Sequence, residues 1–300
     1  MFRTSITILF IAAHLISGCG KPNVDYTTMQ QRLEERLAQA PPEVEVGLAF
    51  EDLQSGKNIF INETLQMHAA STMKVPVMIV VFKQAAEGRF NLTDSITVVN
   101  SFRSIVDGSP YSMDVDEDSD NTVYHLIGKQ TTIYDLTFQM ITVSSNLATN
   151  ILIELVGAEN VMATLNTVGV ENMQVLRGVE DLKAYELGMS NTTNAVDMMR
   201  VMSAIAQDAV VSPESCEEMR KILLAQEFKN KIPALLPKDV KVAHKTGSIT
   251  RINHDCAIVY LPDGRSYSLT ILTRGIDDHD QSAILAAELS RIIYDAMMGR

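Results

Sequence analysis

The chain has 300 residues, 46% of them hydrophobic, and a formal net charge of −12. A chain of this length and composition can bury a full core, in one large domain or two closely packed ones, which excludes a disordered protein. The negative charge argues against nucleic acid and anionic lipid surfaces as partners, because both require a basic face. A small molecule or a cell-wall polymer is therefore the more suitable partner.

The amino-terminal residues have the features of an export signal. Arg3 gives a positive start, residues 6–17 form an apolar stretch too short to span a membrane, and Ile-Ser-Gly-Cys follows. This resembles a bacterial lipobox, which implies cleavage before Cys19 and lipid on that residue; an ordinary signal peptide is the alternative. We expect a signal peptide over 1–18, a lipidated tether over 19–24, and a lipoprotein held by acyl chains alone at the periplasmic or extracellular face of a membrane.

Helical and strand periodicities alternate in blocks along the rest of the chain. Residues 26–40 are amphipathic, end at two prolines and predict a helix. Residues 43–52 and 58–64 alternate around a Gly-containing turn and predict a β-hairpin. The apolar run after Lys74 predicts a buried helix, with Pro76 tolerated in its first turn. Further helices are predicted over 132–143, 146–157, 158–169, 194–207 and 212–226, strands over 240–248, 254–261 and 266–275, and a last helix over 282–298.

The order of these elements predicts an α+β fold with two lobes. The first and last parts of the chain would join as one five-stranded antiparallel sheet covered by the terminal helices. We predict a single domain over 25–300, with a sheet lobe from 25–70 and 237–300 and a helical lobe over 71–236. A cleft would lie where the lobes meet.

Aspartates occupy alternate positions from Asp114 to Asp120, a pattern similar to a calcium-binding loop. The glycine that such a loop needs is replaced by Ser119, and its closing glutamate by His125. We therefore expect a solvated surface turn with no metal.

Cys216 and Cys256 belong to a compartment that permits disulfides. Nothing in their spacing indicates that they meet. We expect two buried small side chains, with a bridge as the alternative.

Ser71 and Lys74 lie three residues apart at the head of the apolar run. On a helix they would share a face. Burial would favour the neutral amine of Lys74, and a neutral amine beside a hydroxyl is a base that can activate it. The alternative is that Lys74 extends to water and Ser71 caps the helix.

Two further motifs follow in order. Residues 144–146 are Ser-Ser-Asn between two predicted helices, and residues 245–247 are Lys-Thr-Gly on the first returning strand. With Ser71-x-x-Lys74, they resemble the S-x-x-K, S-D-N and K-T-G motifs of class A β-lactamases and penicillin-binding proteins. The resemblance covers essentially the whole mature chain. Of the three motifs only the second is altered, because Ser145 stands where the family usually has Asp.

The resemblance implies the chemistry of acylation. Ser71 would be the nucleophile that forms an acyl-enzyme, and Lys74 its base, kept neutral in part by the second ammonium of Lys245. Ser144 would pass the proton to the leaving nitrogen.

The resemblance also implies substrate contacts. Backbone N–H groups of Ser71 and Ser248 would form the oxyanion hole. Asn146 would hold the substrate's side-chain amide, and its carboxylate would bind at the edge strand. The implied substrate-binding residues are Asn146, Lys245, Thr246, Gly247 and Ser248, with no metal and no cofactor.

Deacylation in the family uses a Glu on an irregular loop opened by an Arg, with an Asn four residues after the Glu. Here Arg177 is present, Glu180 comes one residue later than usual, and Ala184 stands where the Asn is expected. Glu180 is the candidate base, with Asp181 and Glu186 as rivals.

Three histidines offer alternatives. His244 and His68 are expected to be wall residues of the cleft. His254 and Asp255 could form a Ser–His–Asp triad with Ser71, but Lys74 already occupies the position of the base.

The resulting hypothesis is an exported, monomeric active-site serine hydrolase, similar to class A enzymes, that opens β-lactam rings. One alternative is a cell-wall peptidase or esterase, or a penicillin-binding protein that deacylates slowly. Another is a non-catalytic envelope lipoprotein that binds a ligand.

Overall fold

The structure is a computed structural model that describes residues 24–300. The predicted signal peptide and the tether cysteine Cys19 lie outside the described residues, and the domain limits stay a prediction. The helices are α1 Tyr26–Leu37, α2 Lys74–Ala86, α3 Ile133–Thr142, α4 Asn146–Val156, α5 Ala158–Thr167, α6 Leu182–Glu186, α7 Ala195–Ala206, α8 Pro213–Leu224 and α9 His279–Met297. The strands are β1 Glu45–Asp52, β2 Asn58–Ile61, β3 Met67–His68, β4 Ser95–Thr97, β5 Phe102–Arg103, β6 Pro110–Tyr111, β7 Gln130–Thr132, β8 Thr192–Thr193, β9 Lys241–Ile249, β10 Ile252–Tyr260 and β11 Ser266–Arg274.

The main sheet of residues 24–300 has five strands in the order β2-β1-β11-β10-β9, and every neighbouring pair is antiparallel. Strands from the two ends of the chain meet at its centre, where β1 pairs with β11. The predicted α+β fold with a five-stranded antiparallel sheet is therefore confirmed. The strand β9, which carries the third motif, lies at an edge, so one side of its backbone faces the neighbouring lobe.

Side chains alternate between the two faces of the sheet. On β10, Ala257 and Val259 pack under the terminal helices α1 and α9, whereas Cys256 and Ile258 face the helical lobe. The sheet thus separates two apolar cores, and the helical lobe is built on the second of them.

The helix α2 forms the centre of the helical lobe. It is apolar on almost every side, and residues from Val75 to Phe82 are all buried. Each fully buried valine, isoleucine or methionine contributes about 1.5–3 kcal/mol. This burial holds the helix in place and with it Lys74, its first residue. Pro76 lies in the first turn, as predicted, where no backbone hydrogen bond is lost.

Two helices differ from the sequence prediction, one in where it begins and one in being present at all. The last helix begins at His279 because Asp278 caps it, accepting hydrogen bonds from Asp280 N and Gln281 N. The short helix α6 was not predicted. It has five residues and begins where the Asp181 side chain accepts from Ala184 N, a signal too brief to produce periodicity.

Cys216 and Cys256 are both buried, and neither forms a disulfide. The expectation of two small buried side chains is therefore confirmed. In residues 24–300 we also find no helix with the length and apolar character that crossing a membrane requires.

Candidate active site

A cleft of about 290 Å³ lies between the helical lobe and the edge strand β9. Six residues of the three motifs or adjacent to them line it: Ser71, Ser144, Asn146, Thr246, Gly247 and Ser248. A slightly larger groove, about 320 Å³, lies between α1 and β2 and contains no motif residue. The chemistry is therefore concentrated in the smaller cleft.

Ser71 lies in a 3₁₀ turn, Ala70–Met73, that leads directly into α2. In such a turn, residues i and i+3 are nearly eclipsed, so Ser71 still shares a side with Lys74 although the predicted α-helix begins only at Lys74. A Cβ atom at Gly247 would lie 3.0 Å from Ser71 N. Glycine therefore allows the strand to approach the Ser71 amide closely. Among residues 24–300, no hydrogen bond engages the Ser71 hydroxyl.

Lys74 is completely buried. Its Nζ donates to Ser144 O and to Asn146 Oδ1, both at 2.7 Å, and lies 3.3 Å from Ser144 Oγ. Burial lowers the pKa of Lys74 to about 7, opposed by the negative charges of Asp118 and Glu180. A substantial fraction of this amine is therefore neutral at neutral pH.

Lys245 is also completely buried, and its Nζ donates to Ser144 Oγ at 2.9 Å and to Thr246 O at 2.8 Å. Burial, followed by repulsion from Lys74, holds its pKa well below the usual value. Burial is the largest cause of the lowered pKa of both lysines, and repulsion between the two neighbouring ammonium groups adds to it.

Ser144 connects the two lysines. Its Oγ lies 3.3 Å from Lys74 Nζ and 2.9 Å from Lys245 Nζ. The residue has φ +61 in the short link between α3 and α4, a conformation that non-glycine residues rarely adopt. Ala70 and Glu180 share this left-handed conformation, with φ +45 and +61. Three of the seven non-glycine residues with positive φ in residues 24–300 are therefore site residues or adjoin one.

The altered residue of the second motif, Ser145, is buried and caps α4, accepting a hydrogen bond from Ala148 N at 3.3 Å. The first two N–H groups of that helix have a different partner. Asn146 N donates to Asp118 Oδ2 at 2.8 Å, and Leu147 N donates to the same oxygen at 3.1 Å.

The expectation that the Asp-rich loop is only a solvated surface turn is therefore wrong for its central residues. Asp118 caps α4, and Ser119 Oγ donates to Val143 O at 2.8 Å and to Ser144 O at 3.1 Å. The alternating aspartates predicted a solvent-exposed loop from composition alone. A contact with the first turn of α4, which is distant in sequence, leaves no signal in the local sequence. In the part of the chain that the structure describes, no group of three or more His, Cys, Asp or Glu side chains could hold a metal ion.

The three candidate carboxylates for deacylation lie in different places. Glu180 Oε1 accepts a hydrogen bond from Asn146 Nδ2 at 2.9 Å, and burial raises the pKa of Glu180. Asp181 instead accepts from Ser104 Oγ and Ile105 N, both at 2.9 Å, and Glu186 is exposed. The structure brings Glu180 alone of these three to the motif residues.

The side chain of Arg177 fixes the backbone of the segment that carries Glu180. Arg177 is buried and donates to Met189 O at 3.0 Å and to Gly178 O at 2.9 Å. Ala184 is buried and supplies no side-chain amide. The position where the family has an Asn therefore contributes no polar group to the cleft.

Lys231 is a residue of the cleft that was not predicted from the sequence. Its side chain is 3% exposed, lines the cleft and donates from Nζ to Ser248 Oγ at 3.0 Å. Burial lowers its pKa to about 8, opposed by Asp255. Lys231 lies in the irregular segment between α8 and β9, where neither periodicity nor a motif distinguishes it from neighbouring lysines.

The histidines are structural, and a Ser–His–Asp triad is excluded. Both ring nitrogens of His254 are engaged, since Nε2 lies 3.0 Å from His68 O and Nδ1 accepts from Thr273 N at 3.1 Å. His244 Nδ1 lies 3.0 Å from Asp255 Oδ1, away from Ser71. His68 Nδ1 accepts from the backbone N–H of Ala70 and so helps to fix the turn that carries the serine.

A family comparison gives the same result as the geometry. Residues 28–297 match the model of the β-lactamase enzyme family. A β-lactamase of Bacteroides uniformis is 25% identical over 178 residues, which cover 55% of this chain and 60% of that enzyme. The β-lactamase VEB-1 of Pseudomonas aeruginosa is 22% identical over 237 residues, covering 75% of this chain and 76% of that one.

Among solved structures, PBP-A is similar, with a TM-score of 0.76, 28% identity and coverage of 92% of this chain and 97% of that one. A variant of PBP-A has been solved as an acyl-enzyme complex with penicillin G, at 27% identity to this chain. Because the family model matches nearly all of the described residues, this chain belongs to the β-lactamase enzyme family.

Proposed function

We propose that this protein is a serine β-lactamase similar to class A enzymes, which opens β-lactam rings through an acyl-enzyme on Ser71. The observation that carries the proposal is the position of Ser144 Oγ between the buried amines of Lys74 and Lys245, in the cleft that also contains the unbonded Ser71 hydroxyl. The acyl-enzyme of the PBP-A variant with penicillin G supports it by similarity.

Acylation would begin when neutral Lys74 takes the proton of the Ser71 hydroxyl. The Ser71 oxygen then bonds to the lactam carbonyl carbon, and backbone N–H groups at Ser71 and Ser248 stabilise the oxyanion. The carbon–nitrogen bond breaks as Ser144 gives its proton to the ring nitrogen. Lys74 returns a proton to Ser144, which restores both groups.

Deacylation would use Glu180. Burial raises the pKa of Glu180, which makes its carboxylate a stronger base. Glu180 would take a proton from water as the water oxygen bonds to the acyl carbon. That proton would then pass to the Ser71 oxygen as its bond to the acyl carbon breaks, which restores Glu180 and Ser71. The hydrogen bond from Asn146 supports this role by holding the carboxylate beside the acylation residues.

The edge strand and Lys231 would receive the substrate's carboxylate. Thr246 and Ser248 offer hydroxyls, and Lys245 and Lys231 offer buried amines. Charge-assisted hydrogen bonds to a carboxylate are roughly twice as strong as neutral ones. Since the buried Lys231 is tied to Ser248 Oγ, we include it in the substrate-binding set.

Stopped-flow hydrolysis of a chromogenic cephalosporin tests the proposal. Wild-type protein is expected to turn over the reagent, and Ser71→Ala to lose roughly 10⁵-fold or more of the rate. Ser101→Ala, an exposed serine, is the matched control and should retain the wild-type rate. Equal rates for Ser71→Ala and wild type would remove Ser71 from the reaction.

A second candidate is a penicillin-binding protein or cell-wall peptidase that forms the acyl-enzyme but releases it slowly. The absence of a side-chain amide at Ala184 and the similarity to PBP-A favour it. Mass spectrometry after mixing with penicillin distinguishes the two. A persistent adduct supports the slow enzyme, whereas accumulating product with a transient adduct supports the β-lactamase.

We further propose that the protein is exported and anchored by lipid on Cys19. The proposal rests on the Ile-Ser-Gly-Cys sequence after the apolar residues 6–17. Metabolic labelling with a radioactive fatty acid should label the wild type, and Cys19→Ser should abolish the label. Cys216→Ser is the matched control and should keep it. A labelled Cys19→Ser variant would contradict the proposal.

A further inference from the structure

The second motif of this chain lacks the carboxylate that its family usually carries, and a carboxylate from another segment contacts the same loop. Ser145 occupies the position of the Asp, yet Asp118 takes the backbone N–H groups of Asn146 and Leu147. The two segments are far apart in sequence and meet only in the fold. The helix start is therefore satisfied by two side chains, Ser145 on Ala148 N and Asp118 on the two preceding groups.

The residue after Asp118 contacts the other side of the same link. Ser119 Oγ donates to Val143 O at 2.8 Å and Ser144 O at 3.1 Å. Ser144 O also accepts from Lys74 Nζ at 2.7 Å. Asp118 and Ser119 thus hold backbone N–H groups after Ser144 and backbone carbonyls at and before it. We call this pair the loop clamp.

The clamp acts on strained backbone. Ser144 has φ +61, a conformation that is unfavourable for a non-glycine residue and persists only when its surroundings hold it. A side chain in this conformation must be fixed from both sides to keep its hydroxyl between two amines. The hydrogen bonds of the clamp, which Asp118 accepts from two backbone N–H groups and Ser119 donates to two backbone carbonyls, provide that restraint.

The clamp also contributes charge. The groups that face Lys74 are Asp118 from the Asp-rich loop, Glu180 from the α6 segment and Lys245 from β9. Burial lowers the pKa of Lys74, and the negative charge of Asp118 is the largest effect that raises it. The carboxylate therefore influences when the base loses its proton, in addition to holding the loop.

We propose that Asp118 and Ser119 are positioning residues for acylation, which replace in this chain the carboxylate missing from its second motif and fix Ser144 and Asn146 for reaction. This proposal rests on the proposed function. The loop from Asp114 to Asp120 is then part of the reaction machinery, and its sequence is constrained at its centre.

The test measures the acylation rate of Asp118→Asn and Asp118→Ala by single-turnover stopped flow with a chromogenic cephalosporin. Asp118→Ala removes every acceptor, and Asp118→Asn keeps the size but removes the charge. We expect acylation to slow roughly 10-fold to 100-fold, as for a small misplacement of reacting groups. Asp116→Ala is the matched control. It removes the same charge from the same loop, and the Asp116 carboxylate makes no hydrogen bond within residues 24–300, so it should acylate at the wild-type rate.

The pH profile separates positioning from a loss of stability. Without the Asp118 charge, the pKa of Lys74 falls further, so the acid limb of acylation in Asp118→Asn should move to lower pH. Destabilisation alone would lower the unfolding temperature and leave that limb in place. Wild-type acylation rates and an unshifted limb in both Asp118 variants would overturn the proposal, as would equal losses in Asp116→Ala.

Amide hydrogen exchange keeps the clamp testable apart from the proposed function. Asn146 N and Leu147 N should lose protection in Asp118→Ala and keep it in Asp116→Ala. If no β-lactam acylates the wild-type protein, the proposed function fails. The hydrogen-exchange measurement still decides whether the clamp exists. Unchanged protection in Asp118→Ala would overturn the clamp even in a fully active enzyme.

Discussion

Two groups of segments border the cleft, and they are built differently. The first, here called the buried wall, consists of the regular elements α2 and β9, and its lysines, Lys74 and Lys245, are completely buried. The second, here called the loop wall, consists of the loops that carry Asp118 and Glu180, which are only partly buried. The buried wall supplies amines whose pKa values are lowered by burial. The loop wall supplies carboxylates that raise the pKa of Lys74 and position the second motif. Under the proposed function, acylation uses both walls, because the buried wall holds the base and the loop wall positions the second motif, whereas deacylation depends on Glu180 of the loop wall.

Apart from substitution of the nucleophile, replacing the base Lys74 in the buried wall is expected to have the largest effect on acylation. Lys74→Ala removes the proton acceptor and the contacts to Ser144 and Asn146, so acylation should fall roughly 10²-fold to 10⁴-fold. Lys83→Ala, an exposed position on the same helix, is the control. Single-turnover kinetics measures the effect. A Lys74→Ala protein that acylates like Lys83→Ala would assign the base elsewhere.

The next effect concerns deacylation and the loop wall. Glu180→Gln should slow deacylation roughly 100-fold because the amide cannot accept the proton of water. The acyl-enzyme should then accumulate and be visible by mass spectrometry. Glu186→Gln, an exposed carboxylate in the same segment, should behave as wild type. Unchanged deacylation in Glu180→Gln would favour the slowly deacylating alternative.

The protonation of the buried wall predicts the pH dependence of acylation. Because the pKa of Lys74 is about 7, its neutral form is lost as the pH falls. Between pH 7 and pH 5 the neutral fraction, and with it acylation, should fall roughly 50-fold. Measuring single-turnover acylation isolates this limb from the titration of Glu180. A rate that is flat over this range would show that Lys74 does not act as the base.

A smaller effect concerns substrate binding. Lys231→Ala should raise KM for a substrate with a carboxylate roughly tenfold and change kcat little, since a charged hydrogen-bond donor is lost. In the wild type, KM should also rise above pH 8, because the pKa of Lys231 is about 8 and the neutral amine binds the carboxylate less well. Lys229→Ala is the exposed control. Equal KM values for the Lys231 and Lys229 variants would contradict the assignment.

The smallest expected effect is none. Cys216 and Cys256 form no disulfide, so a thiol reductant should leave the unfolding temperature of the folded domain unchanged. Calorimetry with and without reductant measures this. A clear decrease with reductant would indicate a bridge between them.

The same division explains what could be predicted from the sequence. Ser71, Lys74 and Lys245 belong to short motifs on or next to regular elements, and the periodicity around them gave the sheet and the major helices. Asp118 and Lys231 lie in irregular segments and contact residues distant in sequence. Neither spacing nor composition records such contacts, so the Asp-rich loop was assigned to solvent and Lys231 was missed.

Glu180 is an intermediate case. The resemblance identified it despite its shifted spacing, but only the fold separates it from Asp181. Asp181 points to Ser104 and Ile105, whereas Glu180 turns toward Asn146 because its own backbone has φ +61. One residue in an unusual backbone conformation redirects the side chain, which a pattern of residue types does not reveal.

The left-handed backbone at Ala70, Ser144 and Glu180 has a consequence for engineering heat-resistant forms of this protein. Glycine adopts that conformation at little steric cost, so replacing any of the three residues with glycine would relieve backbone strain locally. Consensus or directed-evolution screens that select only for survival at high temperature would then favour changes that erode turnover. Libraries that leave these three positions fixed, and vary the remaining left-handed sites such as Asp208 and Arg251, avoid that trade-off.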